Sequence, residues 1–136
     1  MEIEIEMEID GFDGFVEFDS LACARLEIST MKQDELSDLV LANRILVNEG
    51  VLDGFGHVSV RDPVDPQRFH IARSMAPALV TPQDIVEVDL NGDVHDAQGR
   101  RTYVERFIHS AIYKARPDVL SVIHSHSPAV IPFGVT

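Results

Sequence analysis

The chain has 136 residues, of which 45% are apolar, and a formal charge of -12 at pH 7. This length and apolar content suit one folded domain, and the acidic balance excludes a general binder of nucleic acid or anionic membranes, which needs a basic surface. One cysteine permits no internal disulfide, and without a long apolar run or a secretory leader we expect a cytoplasmic protein.

The negative charge is concentrated at the start of the chain. Residues 1–30 contain nine acidic residues and one basic residue, whereas residues 31–136 contain fourteen and ten. The opening MEIEIEMEID alternates acidic and apolar residues, which predicts a strand with one anionic face. We therefore divide the chain into an acidic N-terminal extension of unassigned role, residues 1–30, and a domain beginning at residue 31.

Helical and extended patterns follow one another along this domain. Apolar residues at helical spacing, ended by Gly50, predict a helix over 32–49. HVSVRD, RFHIA and IVEVDL predict short strands, and Asn91–Gly92 predicts a hairpin turn. A second helix is predicted over 103–116, just before Pro117.

The last part of the chain is predicted to carry two histidines at the end of a strand. VLSVIHSHS is typical of a buried strand that becomes polar at its end, and Ser127 is a candidate cap for a further helix. His124 and His126 are two residues apart, so on a strand they point to the same side with Cα atoms about 6.6 Å apart. Their rings can then bind one cation, although two solvated rings at a strand end are an equal alternative.

Other candidate residues are weaker by themselves. Glu105 lies in the helix that precedes this strand, where most glutamates are merely solvated. His109 follows at i+4, and we favour a structural hydrogen-bonding role for it. His57 stands at a turn-to-strand junction, which suits a ligand contact. For His70 and His95, near predicted turns, surface exposure is the expectation.

These motifs resemble the class II aldolase/adducin family. The likeness covers about residues 34–136 and is carried by ANRILVNEGVLDGFGHVSVR, TPQDIVEVDLNGDV and YVERFIHSAIYKARPDVLSVIHSHS. It implies an α/β layered domain of class II aldolase type, with a central, mainly antiparallel sheet, flanking helices and a truncated C-terminus. We therefore interpret 31–136 as a partial domain of this kind.

The resemblance also implies a metal site. Glu105, His124 and His126 match the family's ligands for a divalent metal, and a third histidine is expected beyond Thr136. We predict zinc or manganese, with cobalt, iron and magnesium as alternatives. The resemblance further implies a homotetramer with active sites between subunits.

Departures from the sugar-phosphate aldolases point to another substrate. His57 replaces an asparagine that holds phosphate there, the loop RSMAPALVT lacks glycine, and Tyr103 and Val104 replace a pair of serines before the glutamate. A phosphorylated sugar is therefore not expected. Arg73 can bind a carboxylate in bidentate fashion, and Ser74 and His57 can donate hydrogen bonds to a second polar group.

The sequence thus predicts a metal-dependent carbon–carbon lyase. The first hypothesis is a decarboxylase of a hydroxy-substituted aromatic, heterocyclic or related unsaturated carboxylic acid, as in aromatic compound catabolism, with a metal-stabilised enolate or phenolate and Glu105 as metal ligand or proton shuttle. One alternative is a class II aldolase with an unphosphorylated substrate. The other is a non-catalytic interaction module like the adducin head.

Overall fold

The computed structural model describes residues 20–95 and 97–128. The elements in chain order are α1 (Ser20–Asn48), β1 (His57–Arg61), β2 (Arg68–Ala72), β3 (Ile85–Asp89), α2 (Arg106–Ala115) and β4 (Ser121–His124). Short 3-10 turns at Pro77–Leu79 and Pro82–Asp84 connect β2 to β3. The strand predicted at the N-terminus and the helix predicted after Ser127 lie outside the described residues.

The strands form one sheet in the order β3-β2-β1-β4, and every neighbouring pair is antiparallel. The turn at Asn91–Gly92 is present, with Gly92 at a φ of 87° and a bridge between Val88 and Val94 beyond it. Such a φ is accessible mainly to glycine. The predicted antiparallel sheet with flanking helices is confirmed.

Helix α1 is longer than the sequence pattern predicts, because it begins at Ser20 rather than near residue 32. The boundary that we placed after residue 30 therefore falls inside a continuous helix. Its end agrees with the prediction: Gly50 has a φ of 68°, its N–H binds the Val47 carbonyl, and the Val51 N–H binds the Leu46 carbonyl. This is the hydrogen-bond pattern of a glycine-terminated helix.

The two helices cover opposite faces of the sheet. In β2, Phe69 and Ile71 face α2, whereas His70 and Ala72 face α1, because successive side chains of a strand alternate. The core on the α1 face contains Leu39, Val40, Val58, Ala72, Val80 and Ile85. The core on the α2 face contains Phe69, Ile71, Val86, Val88, Tyr103 and Tyr113.

Two predictions of exposure were wrong. His70 is only 4% exposed, because its position in β2 turns it towards α1 instead of solvent. Strand β4 was predicted to be buried, but Ser121 and Ile123 are exposed, since β4 pairs only with β1 among the described strands. None of the helices in the described ranges has the length and hydropathy needed to span a bilayer.

Candidate metal centre

His124 and His126 converge at the end of β4. Their Nε2 atoms are 3.1 Å apart, and the two rings meet edge-on at an interplanar angle of 85°. At this distance one nitrogen can donate a hydrogen bond to the other, or both can bind one cation. With bonds of about 2.1 Å, two nitrogens lie about 3.0 Å apart at a right angle and about 3.4 Å apart at a tetrahedral angle. The pair therefore has the separation of two ligands of one metal ion.

A carboxylate lies behind the outer ring of this pair. Asp53 Oδ1 is 3.3 Å from His126 Nδ1, and it accepts hydrogen bonds from the N–H groups of Phe55 and Gly56 at 2.9 and 2.7 Å. The Phe55 hydrogen bond is the main reason that the pKa of Asp53 is lowered. A carboxylate in this position orients a histidine whose other nitrogen binds metal. Asp53 was not among the predicted site residues, although it stands in the GVLDGFG turn.

His57 forms the floor of the site. It is 1% exposed and pairs with His124 across the β1–β4 ladder, with ring centroids 4.9 Å apart. Tyr103 stacks on it at 4.1 Å. His57 Nδ1 is 3.2 Å from the Phe55 carbonyl, which can only accept, so Nδ1 carries the proton. Burial lowers the pKa of His57, and this favours a neutral ring with an unprotonated Nε2.

His109 also stacks against His57. Its ring lies 5.0 Å from that of His57, and its Nδ1 is 2.7 Å from Ser59 Oγ, which in turn is 2.8 Å from the Tyr113 hydroxyl. Burial lowers the pKa of His109 to about 3, so the ring is neutral. The predicted structural hydrogen-bonding role of His109 is confirmed. The Nε2 atoms of His57 and His109 are both buried without a hydrogen-bond partner in the described part of the chain.

Glu105 lies close enough to His57 to affect its pKa, but its carboxylate does not meet both His124 and His126. It immediately precedes α2, where its carbonyl accepts a hydrogen bond from the Ile108 N–H. Burial has the largest effect on the pKa of His57, and the carboxylate of Glu105 opposes that effect. However, Glu105, His124 and His126 are not a set whose donor atoms all lie within 4.8 Å of one another. The donor chemistry of the three suits a divalent metal, but the carboxylate has to approach the histidines to join them.

Arg73 and Ser74 follow β2, in the loop beside this floor. Arg73 Nε is 2.6 Å from Asp84 Oδ1, and Ser74 is exposed. The next residue, Met75, has its N–H 3.2 Å from the Tyr103 hydroxyl, which also donates to the Met75 carbonyl. Tyr103 therefore connects this loop to His57. The structure gives no direct contact of Arg73 or Ser74 with the histidine pair, and their binding role stays a prediction.

This antiparallel sheet between helices, with two histidines converging at a strand end, defines a domain of the class II aldolase type. Residues 37–136 match the family described as Class II Aldolase and Adducin N-terminal domain. The chain belongs to this family.

The proteins similar to this chain include enzymes as well as an adducin. The chain is 43% identical over 98 residues to the decarboxylase tropJ of Talaromyces stipitatus, a match that covers 68% of this chain and 35% of that protein. It is 33% identical over 79 residues to alpha-adducin of Rattus norvegicus, covering 55% and 11%.

A solved structure, L-fuculose 1-phosphate aldolase from Glaciozyma antarctica PI12, superposes with a TM-score of 0.65 and 33% identity, covering 88% of this chain and 48% of that one. The chain thus spans about a third of the length of the decarboxylase and about half of that aldolase.

Proposed function

We propose that this chain supplies metal ligands and substrate contacts to a metal-dependent carbon–carbon lyase, and that its reaction is the decarboxylation of a hydroxy-substituted aromatic, heterocyclic or related unsaturated carboxylic acid. The observation that carries this proposal is the 3.1 Å separation of the His124 and His126 Nε2 atoms. The decarboxylase relative, at 43% identity, supports the choice of reaction.

In this proposal His124, His126 and Glu105 hold one zinc or manganese ion. When bound, such an ion acts as a Lewis acid that withdraws electrons from a chelated oxygen of the substrate. The chain's own residues do the rest. Asp53 holds the ring of His126 in position, and Glu105 would bind the metal or deliver the proton to the carbon that loses carbon dioxide.

The floor of the site favours an unphosphorylated, planar substrate. His57 and Tyr103 present a buried, stacked pair of rings, where phosphate recognition needs several hydrogen-bond donors. We assign substrate contacts to His57, Arg73 and Ser74, with Arg73 binding a carboxylate. Because Asp84 already holds the Arg73 guanidinium at Nε, the group is oriented before substrate arrives, which lowers the entropy cost of binding.

We further propose that the protein is a cytoplasmic homotetramer that binds its substrate between subunits. A class II aldolase reaction on an unphosphorylated substrate is the second candidate. The 33% identity to the fuculose phosphate aldolase supports the aldol reaction, and the stacked His57 and Tyr103 rings support the unphosphorylated substrate.

The test is a substrate screen with the metal-loaded protein. Hydroxybenzoates and hydroxypyridine carboxylates are supplied with zinc or manganese, and released carbon dioxide and aldehyde are measured separately. We expect carbon dioxide release that falls more than about 100-fold in His124→Ala and in His126→Ala, because each substitution removes a metal ligand. His95→Ala, an exposed histidine away from the site, is the matched control.

Three outcomes separate the candidates. Carbon dioxide without aldehyde supports the decarboxylase, and aldehyde without carbon dioxide supports the aldolase. Equal metal content and turnover in His124→Ala and His95→Ala would contradict both.

A further inference from the structure

A second group of metal-type donors lies on the α1 face of the sheet. Asp62 follows β1, His70 is in β2 and Glu87 is in β3; we call these three residues the His70 cluster. His70 Nε2 is 3.7 Å from Asp62 Oδ2 and 3.7 Å from Glu87 Oε2. Within the described ranges, this is the group of three histidine or acidic residues whose donor atoms all lie within 4.8 Å of one another.

The distances in the His70 cluster suit a cation better than hydrogen bonds. A separation of 3.7 Å is too long for a hydrogen bond between nitrogen and oxygen. Three ligands at about 2.1 Å from one ion lie about 3.4 Å apart in a tetrahedral site and about 3.6 Å apart in a planar one. His70 Nε2 therefore already lies at nearly the distance from each carboxylate oxygen that a bound divalent ion imposes.

Several buried polar atoms in and beside the His70 cluster lack a hydrogen bond, which is energetically unfavourable. His70 is 4% exposed and Asp62 is 2% exposed. Asp62 Oδ1 accepts from the N–H groups of Val64 and Asp65 at 2.8 and 2.9 Å, and this fixes Oδ2 towards His70. Asp62 Oδ2, His70 Nδ1 and Glu35 Oε2 are buried without a hydrogen bond in this part of the chain. His70 Nδ1 and Glu35 Oε2 therefore call for a partner, whereas Asp62 Oδ2 has only its ion pair with Lys32.

A positive group already stands beside these donors. Lys32 Nζ forms an ion pair with Asp62 Oδ2 at 3.0 Å and donates a hydrogen bond to Glu87 Oε2 at 3.2 Å. Burial lowers the pKa of Lys32, but its contacts with the two carboxylates outweigh burial and raise it. The Lys32 side chain is 39% exposed, so it can turn out to solvent. The two carboxylates therefore attract a cation, and the Lys32 ammonium group that now lies between them can move away.

The Glu35 carboxyl group lies on the Nδ1 side of His70, where a group that orients a metal-bound histidine is expected. Glu35 Oε2 is 4.0 Å from His70 Nδ1, and burial raises the pKa of Glu35 to about 7. Metal-bound histidines usually donate their other N–H to a carboxylate or carbonyl. A shift of about 1 Å would bring both unpaired atoms into a hydrogen bond.

We propose that the His70 cluster binds a divalent cation through Asp62 Oδ2, His70 Nε2 and Glu87 Oε2, in exchange with the ammonium group of Lys32. One imidazole and two carboxylates suit zinc, manganese or cobalt. This site is on the face opposite His124 and His126, and it is independent of the proposed lyase activity.

The test is an equilibrium titration of the purified chain with zinc alone, against a chromophoric chelator. We expect two zinc equivalents for the wild type and for His95→Ala, and one for His70→Ala. His124→Ala combined with His126→Ala is expected to remove the other equivalent and keep the one at the His70 cluster. Lys32→Met removes the competing charge, and we expect it to tighten the cluster's equivalent about tenfold.

Two substitutions keep the test decisive if His70→Ala does not fold, which circular dichroism reveals. Glu87→Gln preserves size while removing a charged ligand, and Lys32→Met changes a partly exposed side chain. Loss of one bound zinc ion in Glu87→Gln, together with tighter zinc binding in Lys32→Met, supports the site. Wild-type zinc affinity in both variants would overturn it.

Discussion

The two faces of the sheet handle buried polar groups in opposite ways. On the α2 face, the neutral rings of Tyr103 and His109 each stack against His57, and Ser59 joins His109 to Tyr113 by hydrogen bonds. On the α1 face, charged groups balance one another: Lys32 lies between Asp62 and Glu87, and Arg68 also binds Glu87. The first arrangement positions its side chains by stacking and hydrogen bonding, and the second positions them by charge.

The largest effect on stability is expected from breaking the hydrogen bonds of the α2 face. Ser59→Ala leaves His109 Nδ1 and the Tyr113 hydroxyl without their shared partner in a buried position. We expect the free energy of unfolding in urea to fall by about 2 kcal/mol. Ser121→Ala, at an exposed position of β4, is the control. A loss no larger than that of the control would show that the serine does not hold the stack together.

The opposite pKa shifts of His109 on the α2 face and Glu35 on the α1 face predict opposite pH dependences. His109 has a pKa of about 3 in the folded protein, below the ordinary value of about 6.5. Its contribution to stability is present above pH 6.5 and is lost as the pH falls from there towards 3. Glu35 has a raised pKa of about 7, so its contribution is present below its ordinary value of about 4.3 and is lost as the pH rises towards 7.

Two variants separate these contributions. His109→Gln should flatten the acid side of the stability profile, where one proton changes the slope by at most about 1.4 kcal/mol per pH unit. Glu35→Gln should flatten the range between about pH 4.3 and 7. Urea denaturation at half-unit pH steps measures both. Identical profiles for the two variants would contradict the difference between the faces.

The smallest effect is expected from a glycine under the histidine pair. A Cβ at Gly56 would lie 2.7 Å from Leu52 Cδ2 and 3.1 Å from the His124 carbonyl oxygen. The leucine end can move, but the carbonyl can yield only by shifting β4. We expect Gly56→Ala to weaken zinc binding at His124 and His126 about threefold, because ligand geometry loosens. Gly54→Ala, with nothing within 4 Å of its added Cβ, should leave that affinity unchanged.

The sequence predicted features that depend on local patterns. Alternation located β1, β2 and β3, and Gly50 correctly marked the end of α1. The start of α1 was missed because residues 15–29 lack a clear apolar period. The spacing of His124 and His126 predicted that their rings meet, and their Nε2 atoms do lie 3.1 Å apart. The predicted strand geometry was wrong, however, because β4 ends at His124 and His126 lies just beyond it.

Features that depend on tertiary packing were not predictable in the same way. The alternation in RFHIA shows that His70 opposes Phe69 and Ile71, but not that α1 covers its face. The stack of Tyr103 on His57 joins residues 46 positions apart, and no local sequence pattern predicts this contact. Asp53 was hidden among turn residues, where aspartate is common for conformational reasons.

The most direct test of the metal centre is anomalous diffraction from crystals soaked with zinc. We predict a peak about 2.1 Å from both the His124 and the His126 Nε2 atoms, with the Glu105 carboxylate turned towards it. Zinc bound by the crystalline protein, but with no peak between these two nitrogens, would contradict the assignment.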